Sequence, residues 1–109
     1  MTSLAILNTL LRVNGVSGEP PAPFERPNAK MDFWVLELPA HADVESWCAH
    51  TAQVLTTQEE CLDGMRRAGF RLTLFVELVS MVSVLRLESV FLKMLADHGI
   101  SLECSHEDA

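Results

Sequence analysis

One stretch constrains the fold more than any other: residues 70–87, FRLTLFVELVSMVSVLRL, form the most apolar run of the chain. A membrane-spanning helix needs about 20 consecutive apolar residues, and Arg71, Glu77 and Arg86 interrupt this run. Its many β-branched and aromatic residues favour a strand. The stretch therefore predicts a sheet strand and no membrane span, while residues 80–87 fit either an extension of the strand or an early start of the next helix.

Alternation along this strand separates two faces. One face is wholly apolar and holds Leu72, Leu74, Val76 and Leu78. The other face mixes charged, polar and apolar side chains and holds Arg71, Thr73, Phe75, Glu77 and Val79. We therefore expect Glu77 on a sheet face turned away from the core, and not as a buried general acid.

Two further strands and a loop precede this stretch. Residues 4–15 alternate and end on Asn-Gly, which is typical of a strand that ends in a turn. Residues 15–30 contain four of the five prolines and two glycines and predict a proline-rich loop. Residues 31–38 predict a second strand, which Pro39 ends.

Helical patterns occupy two segments. Asp43 is a suitable N-cap for a helix that begins at Val44, and Gly69 is a suitable C-cap. Between them the apolar stripe fits either one long helix or two helices, the second starting near Gln58. Residues 88–99 predict a last helix ended by Gly99, and residues 100–105 a last strand.

These elements predict a single domain over residues 1–109 with the order β-β-α-β-α-β. Strands separated by helices imply crossover connections within one sheet. The expected fold class is α+β: a two-layer α/β sandwich with helices on one face of a mainly antiparallel or mixed sheet.

The sheet face opposite the helices is the candidate functional surface. The second strand adds Phe33 and Val35 to it. The first strand is apolar on both faces, with Ala5, Leu7, Leu11 and Val13 on one and Leu4, Ile6 and Leu10 on the other. A contiguous exposed apolar patch usually marks an interface. We predict partner-binding residues on this face, namely Phe33, Val35, Phe75, Glu77 and Val79. Its cover is either a partner protein or a second copy of the chain in a homodimer; alternatively, the proline-rich loop lays Phe24 across it.

The charge balance restricts the partner. The net charge is −7 and the sequence pI is about 4.9, whereas nucleic-acid binders usually carry a basic surplus. An acidic surface favours basic partner proteins. Residues 1–14 lack the features of a secretory signal, and three cysteines are an odd number for a disulfide framework. We therefore expect a cytoplasmic protein that binds neither nucleic acid nor membranes.

No motif commits the chain to a chemistry, so we predict no catalytic residue and no cofactor. Two Cys-x-His pairs invite comparison with zinc sites. Cys48 and His50 fall on nearly opposite sides of a helix. Cys104 and His106 share one face of a strand, which leaves only two ligands. We predict no metal, and whether Cys104 and His106 bind one stays open.

The closing third of the chain, LRLESVFLKMLADHGISLECS, combines a leucine-rich strand end, an amphipathic helix ending in ADHGI and a short last strand. It resembles the C-terminal half of a widespread uncharacterised family of small bacterial α/β domains. Such domains, like many single-domain immunity proteins, are acidic, cytosolic and non-catalytic. The last strand departs from that pattern by carrying Cys104 and His106. The resemblance implies an interaction protein and supplies no site residues.

The functional expectation is a non-catalytic protein-interaction module. Its most concrete form is an acidic inhibitor or immunity-type protein that blocks a basic partner, such as a nuclease toxin. The alternative is a small enzyme or ligand-binding domain with a pocket between sheet and helices, near Trp34, Trp47 and His50.

Overall fold

A computed structural model describes residues 4–16, 18–28, 30, 32–39, 43–80 and 87–108, without the side chains of residues 4–8, 79–80 and 106–108. Its elements in chain order are β1 (Leu4–Asn14), β2 (Phe33–Leu38), α1 (Val44–Thr57), α2 (Glu59–Arg67), β3 (Arg71–Ser80), α3 (Ser89–Asp97) and β4 (Ile100–Asp108). The predicted α+β class is confirmed, with two helices where the predicted order has one.

The strands form one mixed sheet in the order β2-β1-β3-β4. The central strand β1 pairs antiparallel with both β2 and β3. β3 and β4 run parallel, so the chain must cross over between them, and α3 lies on that crossover. The β1–β3 register shifts between Ile6 and Asn8. The predicted mixed sheet is therefore confirmed.

Gln58 separates α1 from α2, which decides between one helix and two. Its backbone N–H donates to the Val54 carbonyl at 3.0 Å, and its carbonyl accepts from the Leu62 N–H at 2.9 Å. The same residue thus ends α1 and begins α2. At the start of α1, the predicted cap is confirmed because Asp43 Oδ1 accepts a hydrogen bond from the Ser46 N–H at 2.7 Å.

Gly69 ends α2 as predicted. Its φ of +89° is in the left-handed region that glycine adopts without strain. The Gly69 N–H donates to the Arg66 carbonyl and the Phe70 N–H donates to the Met65 carbonyl, both at 3.0 Å. This pair of bonds is the Schellman motif. It turns the chain from α2 directly into β3.

The core lies between the helices and one face of the sheet. On β3, the alternate residues Leu72, Leu74, Val76 and Leu78 are all buried. This confirms the prediction that they form the core-facing side of the strand. They cluster with apolar residues of all three helices, namely Trp47, Leu55, Leu62, Met65, Phe91 and Leu95. The Cα atoms extend only 18 Å along the shortest axis, which accommodates a sheet and one helical layer about 10 Å away.

The structure describes the two ends of the 80–87 segment, Ser80 and Leu87. β3 continues to Ser80, and Leu87 and Glu88 precede α3, which begins at Ser89. The choice between strand extension and early helix otherwise concerns residues 81–86, which lie outside the described residues. As for membranes, no helix in the described part of the chain is long and apolar enough to span one.

A buried hydrogen bond joins α1 to the central strand. Trp47 is 1% exposed, and its indole Nε1–H donates to the Thr9 hydroxyl at 2.9 Å. The indole also packs against Phe91, with ring centroids 5.1 Å apart. Thr51, one turn further along α1, is fully buried, but its hydroxyl has no hydrogen-bond partner among the described residues. Two buried threonines therefore contribute differently to stability.

We expect Thr9→Val to lower the free energy of unfolding by about 1–3 kcal/mol, because it leaves the buried indole N–H without an acceptor. Thr51→Val is the matched control. It removes a buried hydroxyl that makes no hydrogen bond among the described residues, so stability should stay near that of wild type or rise, because a buried polar group without a partner is unfavourable. Urea unfolding followed by tryptophan fluorescence measures both. Equal losses in the two variants would show that the Thr9–Trp47 bond is not what stabilises this contact.

Candidate protein-binding face

The sheet face without helices carries a shallow groove of about 680 Å³. We call this surface the open face and define it by the groove-lining residues that alternate out of the core: Leu10, Arg12, Phe33, Val35, Glu37, Phe75, Glu77 and Glu103. Each of the four strands contributes to it. In the described part of the chain, no helix packs on this side of the sheet.

Strand register builds the open face in rows across the sheet. In one row, Leu10 of β1 pairs with Glu37 of β2 and with Phe75 of β3. Phe75 in turn pairs with Glu103 of β4. Directly paired residues lie on the same face of a sheet. An apolar pair at the centre therefore has one carboxylate on each side.

The next row contains the cation of the groove. Arg12 pairs with Val35 on one side and with Thr73 on the other. Its guanidinium carbon lies 3.8 Å from the centroid of the Phe33 ring and 5.8 Å from that of Phe75. Its Nε–H donates to Asn14 Oδ1 at 2.9 Å. The guanidinium thus lies on the aromatic rings, a favourable cation–π arrangement.

The proline-rich loop forms one wall of the groove. Glu25 and Val35 exchange two backbone hydrogen bonds of 2.8 Å, so the loop pairs with the outer edge of β2. Glu25 and Pro27 line the groove at this edge. Phe24 is buried in the core cluster at 4% exposure, so it does not lie across the open face. The loop borders the open face and leaves its apolar centre accessible.

The structure brings together four of the five predicted partner-binding residues. Phe33, Val35, Phe75 and Glu77 all line the groove and are half-buried. The backbone of Val79 belongs to β3, but its side chain lies outside the described residues. Glu77 is turned away from the core, as predicted. That these residues bind a partner stays a prediction.

Sequence reasoning missed Arg12, Glu37 and Glu103 as members of the same surface. The sequence does contain a signal for two of them: Arg12 follows Leu10 by two residues and Glu37 follows Val35 by two, which is the spacing of residues on one face of a strand. Alternation alone places each on the correct face of its own strand. Alternation does not reveal the order of the strands in the sheet. That order places Glu37 and Glu103 on opposite sides of the same apolar pair.

The region near Trp34 and Trp47 is filled by core side chains. Trp34 is 5% exposed and meets Phe70 edge-on, with centroids 5.9 Å apart. Trp47 is buried against Phe91. The groove on the open face lies on the other side of the sheet from both indoles. The alternative of a pocket between sheet and helices stays a prediction, and these contacts do not favour it.

The cysteine and histidine side chains are the candidates for metal and thiol chemistry. Among the described residues, no group of three or more His, Cys, Asp or Glu side chains could hold a metal ion; the side chain of His106 lies outside that set. All three cysteines are free thiols. Partial burial raises the pKa of Cys48, Cys61 and Cys104, and for Cys48 the nearby Glu88 carboxylate raises it further. A raised pKa keeps a thiol protonated and weakly nucleophilic.

Comparison with protein-family models, with curated proteins and with solved structures found no match to this chain. The open face therefore provides the basis for a functional proposal.

We expect each cysteine of the folded protein to react with iodoacetamide more slowly at pH 8 than the same cysteine in guanidinium-unfolded protein. Burial holds a smaller fraction of each thiol as thiolate at that pH. Peptide mass spectrometry over a pH series measures the three rates separately. A cysteine that reacts faster in the folded protein, with its rate levelling off at lower pH, would contradict the raised pKa and indicate an activated nucleophile.

Proposed function

We propose that this chain is a non-catalytic protein-interaction module, an acidic inhibitor or immunity-type protein that binds a basic partner through its open face. One observation carries the proposal: an apolar centre flanked by carboxylates on both sides. The centre consists of Leu10, Phe33, Val35 and Phe75; Glu25 and Glu37 lie on its β2 side, Glu103 lies on its β4 side, and Glu77 follows Phe75 along β3. Apolar centres with charged rims are the usual anatomy of protein interfaces.

The two parts of the surface have different effects on binding. Aromatic residues near the centre of an interface supply most of the affinity when a partner excludes water from them, and Phe33 and Phe75 are half-buried in the free protein. Rim carboxylates contribute less affinity, but they raise the rate of encounter and select the sign of the partner's charge. The net charge of −7 likewise favours encounter with a positively charged partner.

The charges favour a basic partner over a second copy of the chain. Each copy would bring four groove-lining carboxylates, those of Glu25, Glu37, Glu77 and Glu103, and one groove-lining cation, Arg12, into an interface between two open faces. Like charges brought together across an interface cost on the order of several kcal/mol. The homodimer is therefore the less favoured cover for this face.

The proposal can be tested with basic leucine–lysine peptides of about 14 residues, one with helical and one with alternating leucine spacing. Fluorescence anisotropy at about 150 mM salt gives the affinity. Phe75→Ser should weaken the tighter-binding peptide about thirtyfold, the effect of about 2 kcal/mol at a central aromatic. The double variant Glu37→Gln, Glu103→Gln should weaken it about three- to tenfold by removing two rim ion pairs.

Matched controls separate the open face from general acidity. The double variant Glu59→Gln, Glu60→Gln removes the same two charges from α2, and Val90→Ser removes an apolar side chain that is 80% exposed on α3. Both controls should bind like wild type. Equal weakening by the two glutamate doubles would attribute binding to net charge and would contradict the proposal. Circular dichroism verifies that each variant is folded.

Arg12, the cation at the centre, allows a test in which the substitution is expected to strengthen binding. Arg12→Leu keeps an apolar side chain against Phe33 and removes the positive charge of the groove. We expect the basic peptide to bind about two- to fivefold more tightly to this variant, because a like charge is lost. A peptide with glutamate in place of lysine should gain nothing from it. Tight binding of the glutamate peptide to the wild-type protein, lost in a folded Arg12→Leu variant, would show instead that the open face binds an anion.

A further inference from the structure

We infer that the segment bound by the open face is an amphipathic α-helix with basic residues on both flanks of its apolar stripe. Such a helix would form a third layer on the sheet, opposite α1, α2 and α3. The inference rests on the proposed function and specifies how it is carried out. It follows from the spacing of the flanking carboxylates, from the length of the open face, and from the position of the sheet edge at which a strand could be added.

The width of the open face fits one helix. Glu37 and Glu103 lie in one row, on β2 and β4, with Leu10 and Phe75 between them. Three interstrand spacings of about 4.8 Å place their backbones about 14 Å apart. An α-helix with its side chains is about 10–12 Å across. A helix lying over Leu10 and Phe75 therefore has one carboxylate beside each flank.

The spacing of the carboxylates along the strands fits one helical turn. On the β2 side, Glu25 is level with Val35 through their backbone bridge, and Glu37 lies two residues further along the strand. On the other side, Glu103 of β4 is level with Phe75, whereas Glu77 lies on β3, two residues beyond Phe75 and one strand inside Glu103. Two residues of strand span about 7 Å, and four residues of helix rise about 6 Å. Basic residues at positions i and i+4 on the β2 flank can meet Glu25 and Glu37, and a basic residue on the β4 flank can meet Glu103.

The length of the open face is that of an ordinary helix. It runs from the row of Phe33 and Arg71 to the row of Glu77. Six residue steps along β3 correspond to about 20 Å. A helix of about 14 residues covers this length at 1.5 Å per residue. The docked segment therefore has three to four turns.

Strand addition does not cover the same surface. In the part of the chain that the structure describes, β4 is the edge strand of the sheet and no strand pairs with its outer side. A strand added there would lie three interstrand spacings, about 14 Å, from Leu10 on β1. It would leave the apolar centre, with Phe33 and Val35 still further away, open to water. A helix on the face buries this centre and an added edge strand does not.

Three peptides of about 14 residues and identical leucine, lysine and alanine composition test the inference. The first has helical leucine spacing with lysines on both flanks of the stripe. The second is also helical but carries its lysines on the side away from the leucines. The third alternates leucine with the other residues and favours a strand. Anisotropy gives the affinities, circular dichroism gives the helix gained on binding, and amide hydrogen exchange reports protection of β4.

We expect the first peptide to bind at least about tenfold more tightly than the other two and to gain helix when bound, because only it can place lysines beside both flanks. The Glu37→Gln, Glu103→Gln double variant should weaken the first peptide and leave the second unchanged. Equal affinities for the first and second peptides would overturn flank recognition.

Failure of the inference can be told from failure of the proposed function. If the alternating peptide binds as tightly as the first or more tightly, still depends on Phe75, and protects β4 amides, the open face binds basic segments in extended form. The helix is then wrong and the proposed function stands. If no peptide binds in a way that depends on Phe75, Glu37 or Glu103, both are wrong.

Discussion

The antiparallel ladder between β1 and β3 determines which side chains meet on each face of the sheet. It pairs Leu11 with Leu74 on the core side and Leu10 with Phe75 on the open side. Because side chains alternate with a period of two, a slip of one residue would exchange these pairs and turn the core outward. The buried hydrogen bond from Trp47 to Thr9 joins α1 to the same strand. Core packing, helix placement and the open face all depend on this one register.

Local patterns in the sequence predicted the features that depend on one helix or strand alone. Alternation along residues 71–78 gave the two faces of β3, and Asp43 and Gly69 gave the helix ends, because each signal lies within a few residues of its effect. The strand order was not predictable in this way, since it depends on pairings between residues far apart in the chain. Glu37 and Glu103 are separated by 66 residues in sequence (103 − 37) and share one row of the sheet. The arrangement of the candidate site therefore became visible only with the sheet.

The break between α1 and α2 shows the same limit within a single segment. The apolar stripe continues through Gln58, so periodicity fits one helix as well as two. The structure divides the stripe, and α2 ends in the Schellman turn that leads into β3. Leu55 at the end of α1 and Leu62 in α2 are both buried in the same core. Helix propensity and periodicity did not distinguish one helix from two, and tertiary packing determines that there are two.

An interaction surface of the proposed kind has to meet two opposing requirements. Exposed aromatic rings promote self-association, and an apolar centre is nevertheless needed for affinity. Arg12 covers part of Phe33 with its guanidinium, which shields that ring and keeps a hydrated charge at the centre. The surrounding carboxylates repel other copies of the same surface while they attract a basic one. Under the proposed function, the charges that disfavour pairing of two open faces are therefore the same charges that would select a basic partner.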